Sequence, residues 1–276
     1  MQRTATRRHF LMCRPDHFEV AYAINPWMDP TQEVDTARAI DQWEALRGAY
    51  LEWGHRVELI DPIPGLPDMV YSANGAIVVD GLVYSAKFKY PERAAEGPAF
   101  EKWFADRGYV TQTAAEVNEG EGDIRWAGDV ILGGSGFRTD PAAHAELAAL
   151  TGHEVLTLTL VDPRLYHLDT ALAVLDDDPA QPVIAYYPPA FAPESQALLA
   201  ERFPDALIAT QRDAEALGLN SVSDGLNVVH STLALDFPNQ LRDLGFEPRA
   251  IDTSELLKGG GGAKCCTLEI RPPRED

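Results

Sequence analysis

Five times along this chain an amphipathic helix runs into a glycine or proline stop, and a short alternating or β-branched run follows each stop. TQEVDTARAIDQWEALRGAYLEWG sets Ile40, Trp43, Leu46, Tyr50 and Trp53 near one face, and PERAAEGPAFEKWFADRG does the same with Phe100, Trp103 and Phe104. DPAAHAELAALTG, PESQALLAERF and FPNQLRDLG supply the other three. The following runs, such as GHRVELIDP, GYVTQTA and GHEVLTLTLVDP, have the period of strands. Hairpin-like stretches lie between the units, GAIVVDGLVYSAKF and TALAVLDDDPAQPVIAYYP among them.

The stops at Gly54, Gly108, Gly152, Pro204 and Gly245 are spaced 54, 44, 52 and 41 residues apart. A degenerate repeat of two or three strands and one helix, recurring at that period, predicts a radial α/β architecture around one axis. The competing expectation for alternating strands and helices is a doubly wound parallel sheet. Two features weigh against it: the strands outnumber the helices, and no GxGxxG follows the first strand. The expectation is therefore one domain over 1–276, an α/β five-bladed propeller of ββαβ-like units.

Charge narrows the partners. With 23 Lys and Arg against 43 Asp and Glu, the formal net charge is −20. Nucleic-acid binding needs a basic surface that displaces counterions, so that class is excluded. An acidic surface would instead favour a cationic small molecule. No apolar run reaches the length of a bilayer span, and the N-terminal MQRTATRRHFLMC has no signal-peptide core, so a membrane partner is not expected. Three cysteines, Cys13, Cys265 and Cys266, offer no disulfide framework. A cytoplasmic location is the expectation.

Neither metal nor phosphate-loop signatures are present: the seven histidines form no HExxH, the cysteines no CxxC, and GGGGAKCC lacks the phosphate-loop spacing. Cys265 is the candidate nucleophile. It follows four glycines, whose bare backbone and flexibility would admit a substrate, and Lys264 beside it would favour a thiolate. The alternative is a small buried apolar residue at the start of a strand. His167 in YHLDTALAV is the candidate base, and on an extended backbone Asp169 would point the same way. Glu119, Glu121 and Asp123 crowd together in NEGEGDIRWAG, either a buried carboxylate cluster or a solvated turn. Asp68 and Asn74 bracket an apolar stretch in GLPDMVYSANGAI, and Arg138 follows a glycine-rich turn in GSGFRTD.

Taken together, these stretches resemble the guanidino-group-modifying enzyme superfamily, the five-bladed pentein enzymes. The family's GGxxCx[ST] pattern is similar to Gly261 through Thr267, HLDT stands intact at His167 to Thr170, and the acidic EGGD element is present with one extra residue. The resemblance implies Cys265 as nucleophile, His167 as acid and base, and Glu119 as the catalytic carboxylate, with Glu121 the alternative that the insertion leaves open. It implies a thiolate attack on the guanidino carbon, an S-linked amidino intermediate and its hydrolysis, with no cofactor and no metal. Arg93 and Arg138 would hold the substrate's α-carboxylate, and Asp68 would line the site. A homodimer is the assembly such enzymes often form.

Two positions divide the subfamilies. Asn74 resembles the arginine dihydrolases, where deiminases and dimethylargininases carry aspartate. Asp169 resembles the arginine-acting enzymes, since methylated nitrogens cannot donate to it. Asn25 in the NPWM element resembles the dihydrolase N-terminus. The expectation is hydrolysis of arginine to ornithine with loss of two ammonia and carbon dioxide. Dimethylargininase and arginine deiminase are the alternatives within the class, and a catalytically dead arginine sensor the alternative outside it.

Overall fold

Glycine sets the element boundaries. Gly54, Gly108, Gly152 and Gly245 stand at φ values of 75° to 83°, a left-handed conformation that ends the preceding helix at no side-chain cost. Helix starts are fixed where Asp35 and Asp140 accept hydrogen bonds from the backbone N–H of Arg38 and Ala142. The computed structural model describes residues 3–273.

The elements run β1 (His9–Cys13), α1 (Thr36–Glu52), β2 (Arg56–Ile60), β3 (Ala76–Val79), β4 (Leu82–Ser85), α2 (Glu96–Ala105) and β5 (Val110–Gln112). They continue with β6 (Ile124–Ala127), β7 (Val130–Ser135), α3 (Pro141–Thr151), β8 (Val155–Thr159), β9 (Leu172–Asp176) and β10 (Val183–Tyr186). The remainder is α4 (Pro193–Arg202), β11 (Leu207–Ile208), β12 (Val222–Ser223), β13 (Asn227–Ser231), α5 (Phe237–Asp243), β14 (Glu247–Ile251) and β15 (Leu268–Glu269). Short helical turns join them.

These strands form five three-stranded sheets: β3-β4-β5, β6-β7-β8, β9-β10-β11, β12-β13-β14 and β15-β1-β2. In each, the first strand pairs antiparallel with the second, and the second pairs parallel with the third. A parallel pair needs a crossover, and the long helix of each unit supplies it. The innermost strands gather round an axis, with β9 against both β6 and β12 and β15 against β3. This is the five-bladed α/β propeller that the repeat predicts. Its fifth sheet joins β15 to β1, so the two ends of the described chain close the ring.

The core is divided among the blades. Trp43, Leu46 and Tyr50 of α1 pack on Phe10 and Met12, while Phe100 and Phe104 of α2 pack on Leu11, Val78 and Val83. The helical faces read from periodicity are those that bury, although Ile40 and Trp53 at the margins of the α1 stripe are only half-buried. Cys265 and Cys266 sit in a turn, and β15 begins only at Leu268. Among the described residues no helix is long and apolar enough to cross a membrane.

Candidate active site

Each inner strand is preceded by a tight turn or loop, and the five approaches meet at one end of the axis. Asn74 lies before β3, Glu119 before β6, His167 and Asp169 before β9, and Cys265 before β15. The fourth approach, before β12, contributes Asn220, a residue that the sequence reading did not single out. The repeat was the signal that could have found it, since four of the five equivalent positions carried a candidate.

The thiol of Cys265 is buried. Its Sγ donates to Asp169 Oδ2 at 3.3 Å and accepts from Asn220 Nδ2 at 3.1 Å. Burial, and then the Asp169 carboxylate, push its pKa well above the ordinary thiol value. Burial also raises Asp169 to about 6, against the opposing pull of His167 and Arg125. Asp169 Oδ1 has no hydrogen-bond partner among the described residues, so a buried acceptor faces an incomplete set of donors beside the sulfur.

The orientation of Asn220 is settled by its backbone neighbours. Its Oδ1 accepts from the N–H of Lys264 at 3.0 Å and of Cys265 at 3.2 Å, so its amide nitrogen must face the sulfur and the Asp169 carbonyl.

His167 Nε2 lies 2.8 Å from Glu119 Oε2, which also accepts from Arg138 Nη1 at 2.9 Å. Burial alone would raise Glu119, but Arg138 and then His167 hold it well below the usual carboxylate range. His167 Nδ1 is buried without a hydrogen-bond partner among the described residues. HLDT is not the extended segment expected from its spacing. His167 is extended, whereas Leu168–Ala171 form one helical turn, and this sends Asp169 to the sulfur and the imidazole to Glu119.

The acidic cluster separates into three roles of position. Glu119 meets His167. Glu121 faces the other way and accepts from Lys264 Nζ at 2.8 Å and Arg271 Nη1 at 2.5 Å. Asp123 accepts from the N–H of Leu168 at 3.0 Å and of Thr139 at 3.1 Å, fixing the loop that carries His167. Lys264 is therefore tied to Glu121 and not to the thiol, contrary to the neighbour effect expected from the sequence.

Asn74 accepts from Arg93 Nη1 at 2.9 Å through Oδ1, while its Nδ2 is 3.4 Å from the Glu119 carbonyl. Arg93 is also bidentate to Glu96, at 2.9 and 2.7 Å, and donates to the Asp68 carbonyl, so each of its nitrogens is engaged within the protein. Asp68 accepts from Tyr22 Oη at 2.9 Å and leaves Oδ1 buried and unpartnered; burial raises its pKa. Asn25 bridges Tyr166 and the Gly259 carbonyl. Arg138 is sandwiched between the rings of Tyr90 and Tyr166, each 4.7 Å away. Together with Ile24, Asn25 and both tyrosines it lines a cavity of about 250 Å³.

The glycines before Cys265 are packed, not loose. A Cβ on Gly261 would fall 2.4 Å from the Tyr71 ring, and Gly260, at φ 89°, has Asn25 and Tyr166 at 2.9 Å from such an atom. The expectation of flexibility is corrected: small size lets two walls of the site close on this loop. Among the described residues no group of His, Cys, Asp and Glu is arranged to hold a metal ion.

Comparison with known proteins places this constellation. The chain is 55% identical over 271 residues to a dimethylarginine dimethylaminohydrolase of Mycobacterium tuberculosis, covering 98% of this chain and 88% of that one. It is 34% identical over 270 residues to a bifunctional arginine dihydrolase/ornithine cyclodeaminase of Synechocystis, covering 95% of this chain but 38% of that longer protein. The substrate-bound N-terminal domain of ArgZ, an arginine dihydrolase from cyanobacteria, superposes with a TM-score of 0.91 at 33% identity over 96% of this chain and 99% of that one. No family model matches. The relatives are hydrolases of guanidino C–N bonds, and with its cysteine, histidine and glutamate brought together on a propeller of the same build, the chain belongs to the pentein family of dimethylargininases and arginine dihydrolases.

Proposed function

We propose that this cysteine-dependent guanidino hydrolase acts on dimethylarginine, releasing citrulline and dimethylamine. The observation that carries the reading is the 55% identity to a dimethylargininase over almost the whole chain. It displaces arginine dihydrolysis as the leading expectation. Asp169 is compatible with it on chemical grounds. A guanidinium dimethylated on one nitrogen keeps an N–H edge formed by its other two nitrogens, and a carboxylate with a free oxygen accepts from that edge.

The steps follow from the site. In the substrate-free centre Cys265 is a neutral thiol held by burial and by Asp169. Entry of the cation stabilises the thiolate, whose proton passes to His167, with the Asn220 amide as donor to the sulfur. The sulfur attacks the guanidino carbon. His167, held by Glu119, protonates the departing amine, and the same imidazole then takes a proton from the water that cleaves the S-linked intermediate. Arg138, at the cavity, binds the α-carboxylate, while Arg93 acts indirectly by fixing Asn74 and Asp68. Asn25 closes the loop over the site.

A second reading, arginine to ornithine in two hydrolytic rounds, is favoured by one feature: Asn74 puts a neutral amide where a carboxylate would reject a ureido carbonyl. Incubation with each substrate separates the readings. Citrulline and dimethylamine from dimethylarginine, with arginine left intact, is the expected result. Ornithine and ammonia from arginine, with dimethylarginine untouched, would establish the second. Loss of turnover in Cys265→Ser is expected in either case.

A further inference from the structure

Behind the catalytic centre, between the inner strands, lies a second cavity. This cavity of about 20 Å³ is bordered by β6, β9, β12 and β15, with Arg8 and Lys264. One water-sized occupant needs roughly 10–15 Å³, so there is room for a single small species.

Four cations line it: Arg8, Arg125, Lys264 and Arg271. Their carboxylate partners are three. Arg8 pairs with Asp177 at 2.6 Å and Glu269 at 3.2 Å, Arg271 with Glu269 and Glu121 at 2.5 Å each, and Lys264 with Glu121 at 2.8 Å. Arg125 belongs to none of these pairs. It is buried, and its Nε and Nη1 have no hydrogen-bond partner among the described residues. The Nε atoms of Arg8 and Arg271, lining the same cavity, are likewise buried and unpartnered. Arg93 and Arg138, the buried arginines at the catalytic end, are by contrast bonded to carboxylates and carbonyls. Burial lowers the Arg125 pKa, against the pull of Glu121, Asp169 and Glu269, none of which is hydrogen-bonded to it.

We propose that this cavity on the propeller axis is a binding site for one monovalent anion of halide size, held by Arg125 with the Nε–H groups of Arg8 and Arg271. Three observations converge on that class. Arg125 has no carboxylate in ion-pair contact among the described residues, the unpartnered groups are all donors, and the volume takes one ion. A water molecule would accept hydrogen bonds yet leave the charge uncompensated. Sulfate or phosphate would exceed both the charge and the space. Lys264 joins the two sites, lining the anion cavity with its side chain while its N–H is held by Asn220 beside the nucleophile.

The test needs no turnover and so stands apart from the substrate question. Thermal unfolding of the intact protein is compared in sodium chloride, sodium bromide and sodium gluconate at equal ionic strength, and bromide is located in crystals by anomalous scattering. In either halide Tm should rise by roughly 3 °C or more over gluconate, whose anion is too large to enter. One bromide should lie within hydrogen-bonding reach of Arg125. In Arg125→Met both effects should vanish. Equal Tm in the three salts, no anomalous peak in the cavity, or a halide response that survives in Arg125→Met would overturn the proposal. Should Arg125→Met not fold, the bromide position and salt response of the unmodified protein decide it.

Discussion

Asn220 has one orientation open to it, because two backbone N–H groups claim its oxygen. Its amide is therefore a preset donor to the sulfur, and it gains strength when the thiol ionises. A hydrogen bond to a charged group is worth about 1.5–3 kcal/mol, so Asn220→Ala should lower kcat/KM by roughly 10- to 100-fold. It should also move the alkaline-side thiol titration upwards, read as the pH dependence of iodoacetamide labelling; an unchanged profile would leave Asn220 with a packing role alone. Asp169 carries the opposite cost. Its folded pKa is raised to about 6 from an ordinary value of 3.8, so the folded state binds the proton more tightly than the unfolded one. That penalty is absent below pH 4, grows as pH rises through the interval, and is complete above pH 6. Asp169→Asn should therefore be inactive yet melt higher than the unmodified protein at pH 7.5, with the difference closing towards pH 4. Cys265, His167 and Glu119 were legible in the sequence because each lies in a short pattern with few chemical uses. Asn220 was not, since LNSVSDG reads as an ordinary turn. Arg125 was hidden for a different reason: a strand residue looks the same whether or not its charge is paired.

At the scale of elements, periodicity and glycine stops were enough to place the helices and the parallel strands after them. They did not reveal how the connecting loops are packed. The run of glycines before Cys265 looked mobile because composition reports what a backbone is permitted to do. It is silent on what surrounds it. Gly261→Ala would drive a methyl into Tyr71 and towards the Cβ of Cys265, at 2.4 and 3.0 Å. Overpacking of this kind costs about 1–3 kcal/mol. The variant should lose several degrees of Tm and a larger share of kcat, because the nucleophile's own loop is what must shift. The HLDT turn teaches the same lesson. Spacing alone placed His167 and Asp169 on one side, and a single helical turn separated them.

For the whole molecule, the five-unit architecture was the most legible feature, because repetition averages over local ambiguity. The homodimer carried by the family resemblance remains a proposal, to be checked by sedimentation. The net charge of −20 bears on kinetics. A cationic substrate is drawn to an anionic protein over distances that salt shortens, with a Debye length of about 10 Å at 0.1 M. Raising ionic strength from 20 to 500 mM with sodium gluconate should reduce kcat/KM several-fold while kcat changes little. The ring closure has a consequence for biosynthesis. Arg8, one residue ahead of β1, and Glu269 of β15 meet across 261 residues of sequence, at the sheet that closes the ring. Cys265 comes only three residues before that closing strand. As a ribosome extends the chain, His167, Glu119, Asn74 and Asn220 emerge well ahead of the sulfur. The step that seals the ring is then the step that arms it, and a product terminated between Asn220 and Cys265 holds both partners of the thiol but not the thiol itself.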